Sequence, residues 1–143
     1  MNRTATLMGT SNSTRESLNP TRLASELMVN TIPIDWLERL PCSITVCDTK
    51  YKILYMNERS AEISSKDGGK ALIGKNLLDC HPPEARKKLK NVMASGLPNI
   101  YTAEKRGAKK LVYQCHWKSK GRTAGLVEFT FELPSKVPNF VRT

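Results

Sequence analysis

The sequence predicts an α+β fold in which two β-strands come first, helices follow, and three more strands close the domain. Near residue 50, two runs of apolar and β-branched residues meet at the polar turn Asp48-Thr49-Lys50, a pattern typical of a hairpin. Farther along, apolar residues recur at helical spacing, and after Pro98 they recur at every second position, which indicates strands. These observations predict a five-stranded antiparallel sheet with helices on one face.

The N-terminal part of the chain is predicted to lie outside this domain. Residues 1–30 begin with a stretch rich in Ser, Thr and Asn, and we expect a flexible tail there. A flanking helix is predicted over residues 31–41, since Pro33 suits a first helical turn and Pro41 stops the helix. Trp36 is the largest apolar group that this helix could offer to a partner.

The domain itself is predicted over residues 42–134. Its first half contains, in order, strands over 43–47 and 52–56, a helix over 58–64, a helical turn over 71–78 and a longer helix over 84–95. Asn57 stands where its side-chain oxygen can cap the first of these helices. Pro82-Pro83 sets the start of the long helix, and Gly96 is its expected C-cap.

The second half of the domain is predicted to be a run of antiparallel strands over 99–105, 109–118 and 123–133, joined by short turns. Pro134 ends the last strand, and a polar tail over 135–143 follows. Alternation places the large apolar residues of the last two strands on one face of each: Leu111, Tyr113, Cys115 and Trp117 on the first, and Val127, Phe129, Phe131 and Leu133 on the second.

The Asp turn, the Asn57 cap and the later Ile73-Gly74-Lys75 together resemble the opening of a PAS domain, a small sensory module. The element order over 43–133 is also similar to that of the PAS fold. This resemblance implies a sensory or protein-interaction domain, a homodimer formed through the flanking helix and the outer sheet face, and a separate signalling output protein or domain. No GxSxG, HExxH, phosphate-loop or kinase motif is found, so no catalytic activity is expected.

A ligand of a PAS domain, where one is present, lies between the inner face of the sheet and the helices, and the resemblance names no cofactor. The residues predicted to line such a pocket are Ile44, Val46, Ile63, Leu72, Leu77, Leu89, Met93, Ile100, Tyr113 and Phe129. The alternative is that the same residues fill a plain core. Which strand face turns inward stays open, and with it whether polar side chains enter the pocket: Thr45, Tyr101, Gln114 or His116.

Both histidines follow a cysteine, in Cys80-His81 and Cys115-His116. A haem-binding sensor that uses His81 or His116 as axial ligand is therefore an alternative, although the predicted long helix contains no histidine. A zinc site from the two pairs is disfavoured, because adjacent residues of a strand point to opposite faces, and no metal is predicted. Flavin photochemistry is not expected either, since Leu77 stands where the flavin-binding branch of the family has its cysteine.

The chain has 23 Lys and Arg against 13 Asp and Glu, a formal net charge of +10. The densest basic runs are Arg86–Lys90 and Lys105–Lys110. Such runs usually form solvated faces, so nucleic acid is not an expected partner. The alternative is a basic adaptor that docks on nucleic acid or on an acidic protein through these two runs.

Three further observations bear on location. The longest apolar runs are only a few residues, so no membrane span is predicted, and the N-terminus lacks the apolar core of a secretory signal. The four cysteines are widely spaced, which favours reduced, buried thiols over a disulfide framework. We therefore expect a cytoplasmic protein.

Overall fold

The structure is a computed structural model that describes residues 35–143. The predicted tail over residues 1–30 and the start of the predicted flanking helix lie outside the described residues. The rest of that helix is a single turn, α1, at Asp35–Glu38. None of the helices in the described part of the chain is long and apolar enough to cross a membrane.

The remaining elements follow the predicted order. They are β1 Ser43–Asp48, β2 Ile53–Met56, α2 Glu58–Ile63, α3 Pro83–Ser95, β3 Asn99–Lys105, β4 Ala108–Ser119 and β5 Arg122–Leu133. As predicted, Asn57 caps α2 and Gly96 ends α3 in the left-handed conformation. Residues 134–143 form neither helix nor strand.

The helical turn predicted over residues 71–78 is corrected by the structure. Two 3₁₀ turns, Gly69–Leu72 and Leu77–Cys80, stand at its ends, and the chain between them runs beside β2. Gly74 adopts φ +90°, which a helix does not allow, and its amide donates to the carbonyl of Ile53 at 2.8 Å. Backbone pairing with β2 therefore replaces helical hydrogen bonds in this segment.

The five strands form one antiparallel sheet in the order β2-β1-β5-β4-β3, so the predicted fold class is confirmed. The strand register places one residue from each strand in a row across the sheet. The central row runs Asn99, Gln114, Glu128, Thr45 and Met56. Because side chains alternate along a strand, this row and its second neighbours share one face.

That face turns toward the helices. Cys47 and Leu126, which are cross-strand neighbours, pack there with Leu89 and Val92 of α3. The core also includes Ile53, Met56, Leu72 and Leu77. We call this the inner face of the sheet and the opposite one the outer face.

Asn57 joins three elements and is fully buried. Its Oδ1 accepts from the amide of Ile44 in β1 at 3.0 Å and from the amide of Ser60 in α2 at 2.9 Å. Its Nδ2 donates to the carbonyl of Cys42 at 2.8 Å and to that of Leu37 in α1 at 3.2 Å. The flanking turn and the helix α2 are therefore held by one side chain.

A side-chain hydrogen bond also crosses the sheet at Gly125. The indole Nε1 of Trp117 donates to the carbonyl of Cys47 at 2.9 Å, and Gly125 lies between them in the register. A Cβ atom added at Gly125 would lie 1.8 Å from the oxygen of Cys47 and 2.7 Å from the indole nitrogen. Only glycine allows this crossing.

Candidate ligand-binding site

A cavity of about 130 Å³ lies between the inner face of the sheet and the segment from α2 to the turn at Leu77–Cys80. Its apolar lining consists of Ile53, Met56, Ile63, Leu72 and Leu77. Its polar lining consists of Ser43, Thr45, Ser60, Ser64, Glu128 and Thr130. Cys80 and His81 complete the lining.

Glu128 of the polar lining ends a hydrogen-bonded row that crosses three strands. Nδ2 of Asn99 donates to Oε1 of Gln114 at 2.8 Å, and Nε2 of Gln114 donates to Oε2 of Glu128 at 2.6 Å. Gln114 is 4% exposed, so its amide depends on these partners. An ionised carboxylate only accepts hydrogen bonds, and this fixes the direction in which both amides donate.

A separate hydrogen bond joins the sheet to α2. Thr45 is the cross-strand neighbour of Glu128, and its hydroxyl lies 2.6 Å from that of Ser60. Ser60 is buried and is also the residue whose amide donates to Asn57. The cavity wall is therefore connected through α2 to the residue that holds α1.

The charge of Glu128 contributes to the pKa shifts of two groups, Tyr101 on β3 and Cys80 in the cavity wall. Burial, together with this charge, raises the pKa of Tyr101 on β3. Burial is also the main cause that raises the pKa of Cys80, with smaller contributions from Asp67, Asp79 and Glu128. Both groups keep their protons at neutral pH, so Cys80 is not activated as a nucleophile.

The structure brings only some of the predicted lining residues to the cavity. Ile63, Leu72 and Leu77 line it. Leu89 is a core residue, 2% exposed, and Met93 packs against the same core, but neither lines the cavity. For these two residues the filled-core alternative describes the structure.

The other five predicted residues require a correction. Ile44, Phe129, Tyr113 and Ile100 form one row across the sheet, and Val46 belongs to the second row along. Both rows lie on the outer face, one residue out of phase with Thr45 and Glu128. The question that the sequence left open is thereby answered: Thr45, Tyr101, Gln114 and His116 all share the inner face.

The sequence reasoning missed Glu128, Thr130, Ser43 and Ser60. The available signal was the position of Glu128, a carboxylate in the middle of the β5 sequence Val127-Glu128-Phe129. A charge there must face either solvent or a polar interior. Its partner Gln114 becomes apparent only once the register of β4 and β5 is known.

Both histidines are hydrogen-bonded. Nδ1 of His81 lies 2.8 Å from the carbonyl of Leu77. Nε2 of His116 lies 3.0 Å from the carbonyl of Met93, and its Nδ1 lies 3.3 Å from the hydroxyl of Thr123. Ligation by His116 would break one of its bonds. Between residues 35 and 143 no three His, Cys, Asp or Glu side chains are grouped as metal ligands would be.

The two basic runs lie on α3 and on the β3–β4 hairpin. On α3 the four basic side chains are exposed: Arg86, Lys87, Lys88 and Lys90. The Nζ of Lys88 lies 5.4 Å from the ring centroid of Tyr101, a cation–π distance. The predicted solvated helix face is therefore present on α3.

Comparison with known proteins agrees with this architecture. The sequence model of the PAS fold family matches residues 37–97, from the end of α1 to the residue after the C-cap of α3. The chain contains a PAS domain. The remaining strands of the PAS domain, β3 to β5, complete the fold that the resemblance implied. No curated protein sequence matches the chain.

Solved structures share the fold at low sequence identity. The PAS domain resembles the C-terminal domain of a Streptococcus mutans protein with 21% identity and a TM-score of 0.56, covering 68% of this chain and 79% of that one. It resembles the photoactive yellow protein domain of the sensor histidine kinase Ppr from Rhodospirillum centenum with 14% identity and a TM-score of 0.52, covering 70% and 93%.

A third similar structure is the dimer of Vibrio cholerae VqmA, a LuxR-type receptor described in the absence of its target DNA. It is 15% identical, with a TM-score of 0.56 over 73% of this chain and 52% of VqmA. The PAS domain thus has the fold of sensor and receptor domains, and the chain spans about half the length of VqmA.

Proposed function

We propose that this PAS domain is a sensory module that binds a small ligand in its cavity and regulates a separate output protein through a homodimer, without catalysis of its own. The observation that carries the proposal is the cavity between the inner face and α2. Its wall combines apolar side chains with hydroxyls and one carboxylate, the composition expected of a small-molecule site.

The contacts around the cavity suggest how occupancy would be transmitted. A ligand that competes for the hydroxyls of Thr45 or Ser60 would disturb the bond between β1 and α2. Ser60 and Leu37 are both bonded to Asn57, so movement of α2 would reach α1. Any such switch requires two states to which the ligand binds unequally.

The outer face supports the dimeric part of the proposal. Its rows carry large apolar side chains that stay partly accessible, among them Phe131 at 40% and Ile100 at 56% exposure. Apolar sheet faces of this kind are typical of interaction surfaces. The similar protein VqmA is described as a dimer.

Native mass spectrometry of the purified protein, compared with its denatured mass, tests both parts in one measurement. We expect a dimer that carries additional small-molecule mass, which is lost on denaturation. A monomer would overturn the dimer. Absence of bound mass, with no uptake from a metabolite extract, would overturn ligand sensing.

A pair of matched variants assigns the bound mass to the cavity. Thr130→Tyr places a large side chain in the cavity wall, and we expect it to abolish uptake. Thr49→Tyr makes the same change in the exposed turn between β1 and β2 and should leave uptake intact. Equal uptake by both variants would place the ligand elsewhere.

A further inference from the structure

We infer that the ligand of this cavity is a small organic cation, an amine with a short apolar body, whose ammonium group binds Glu128. This inference rests on the proposed function and names the chemical class of its ligand. It starts from the charges of the wall: Glu128 is the one carboxylate there, and no Lys or Arg among the described residues lines the cavity.

The bonding of Glu128 leaves it able to accept more hydrogen bonds. Its Oε2 accepts from Gln114, while no described residue donates to Oε1. The neighbouring hydroxyls of Thr45 and Ser60 are bonded to each other. One proton makes that bond, the other stays available to donate, and both oxygens keep accepting capacity. The polar lining thus has more hydrogen-bond acceptors than donors, which suits a ligand that donates hydrogen bonds.

A positive charge suits this wall better than a neutral donor. Glu128 is half-buried, and a charge-assisted hydrogen bond in such a site is roughly twice as strong as a neutral one. A carboxylate or phosphate ligand would instead face the charge of Glu128 in a wall with no Lys or Arg, where the one imidazole, His81, already has its Nδ1 2.8 Å from the carbonyl of Leu77. The wall therefore selects against anions.

The volume and the apolar lining of the cavity define the part of the ligand that carries the ammonium group. A volume of about 130 Å³ is comparable with the engineered protein cavity of about 150 Å³ that holds benzene. Ile53, Met56 and Leu72 belong to the apolar lining and would contact a short alkyl chain or small ring. An amine of roughly benzene size matches the volume of the cavity and both its apolar and its polar lining.

Three probes of similar shape test the charge preference: butylammonium, 1-butanol and butyrate. Each is titrated into the full chain at fixed pH and ionic strength, and binding is followed by the amide NMR shifts of Thr45, Ser60 and Thr130. We expect butylammonium to bind about tenfold more tightly than 1-butanol or better, and butyrate to bind most weakly.

Two matched variants assign the preference to Glu128. Glu128→Gln keeps the size and an acceptor for Gln114, and it should lower the butylammonium affinity about tenfold while changing that of 1-butanol less than about twofold. Glu104→Gln removes the same charge from an exposed position on β3 and should change neither. If Glu128→Gln does not fold, the three probes on the unchanged protein still decide the question.

The outcomes separate this inference from the proposed function. If 1-butanol or butyrate shifts the same amides with equal affinity, the cavity binds ligands and the cationic assignment is overturned. If none of the probes shifts them at any concentration at which the protein stays folded, the cavity takes no ligand and the proposed function fails as well.

Discussion

The side chain of Asn57 satisfies four backbone groups, two amides and two carbonyls, from β1, α2, α1 and the segment between α1 and β1. Asn57→Ala would leave these groups buried without partners, and each such group costs about 1–3 kcal/mol. We expect a loss of at least about 3 kcal/mol in the free energy of unfolding, measured by urea denaturation.

Asn76→Ala is the matched control for this prediction. Asn76 also caps a helical turn through its side chain, but it is exposed, so water can replace the lost bond. A cap of this kind contributes about 1 kcal/mol. Equal losses in the two variants would contradict the central role of Asn57.

Gly125 supports a second prediction at the scale of a single residue. Gly125→Ala would place Cβ 1.8 Å from the carbonyl oxygen of Cys47, so β1 and β5 would have to separate. We expect a loss of more than about 3 kcal/mol. Gly121→Ala meets no atom within 4 Å but has φ +75°, and it should cost only about 1–2 kcal/mol. A thermal melt of each variant checks the order.

At the scale of elements, α1 is attached to β2 by a hydrogen bond whose donor can ionise. The hydroxyl of Tyr55 donates to Glu38 at 2.9 Å, and Glu38 also pairs with Lys70. Burial, with the hydrogen bond to Glu38 and its charge, raises the pKa of Tyr55 to about 12. In the unfolded chain a tyrosine has a pKa of about 10.

This difference predicts how stability depends on pH. The folded state holds the Tyr55 proton more tightly than the unfolded state does. The contribution of Tyr55 to the free energy of unfolding is therefore complete below a pH of about 10 and is lost as the pH rises toward 12. Tyr55→Phe should therefore lose less stability over that window than the unchanged protein. Glu38→Gln should fall between them, because burial is the largest cause and remains. Urea unfolding at a series of pH values measures this, and parallel curves would refute it.

The order of the elements was predictable because its signals are local. The Asp turn, the Pro82-Pro83 start of α3 and the period-two pattern after Pro98 each act within a few residues, and β3 begins and ends where the pattern indicated. The segment from Ile73 to Asn76 was not predictable in the same way. Its conformation depends on backbone bonds to β2, which no local pattern reports.

For the whole molecule, both faces of the sheet carry large apolar side chains, and this is why the predicted lining was only partly right. Assigning the apolar residues of β4 and β5 to the interior assumes a single buried face. Here Tyr113 and Phe129 lie on the outer face, and the inner face carries Gln114 and Glu128 in a satisfied row. Alternation reveals that two faces exist, whereas only packing decides which one meets the helices.

The outer face also gives a prediction about assembly. Phe131→Lys places a charge among apolar side chains that we propose to be buried between two copies. We expect the dimer dissociation constant to rise at least about tenfold, measured by sedimentation over a concentration series. Asn91→Lys adds the same charge on α3, at an exposed position, and should leave it unchanged. Tight dimers of Phe131→Lys would exclude this face as the interface.

The row from Asn99 to Glu128 has a further consequence, which concerns its polarity. With a carboxylate at one end, every amide in the row must donate toward Glu128. With an amide at position 128, as in Glu128→Gln, the hydrogen bonds of the row could run in either direction, because each side-chain amide could exchange its oxygen and nitrogen by a flip. The single negative charge therefore fixes the orientation of both amides, and through them it connects the side chain of Asn99, just beyond the end of α3, to the wall of the cavity.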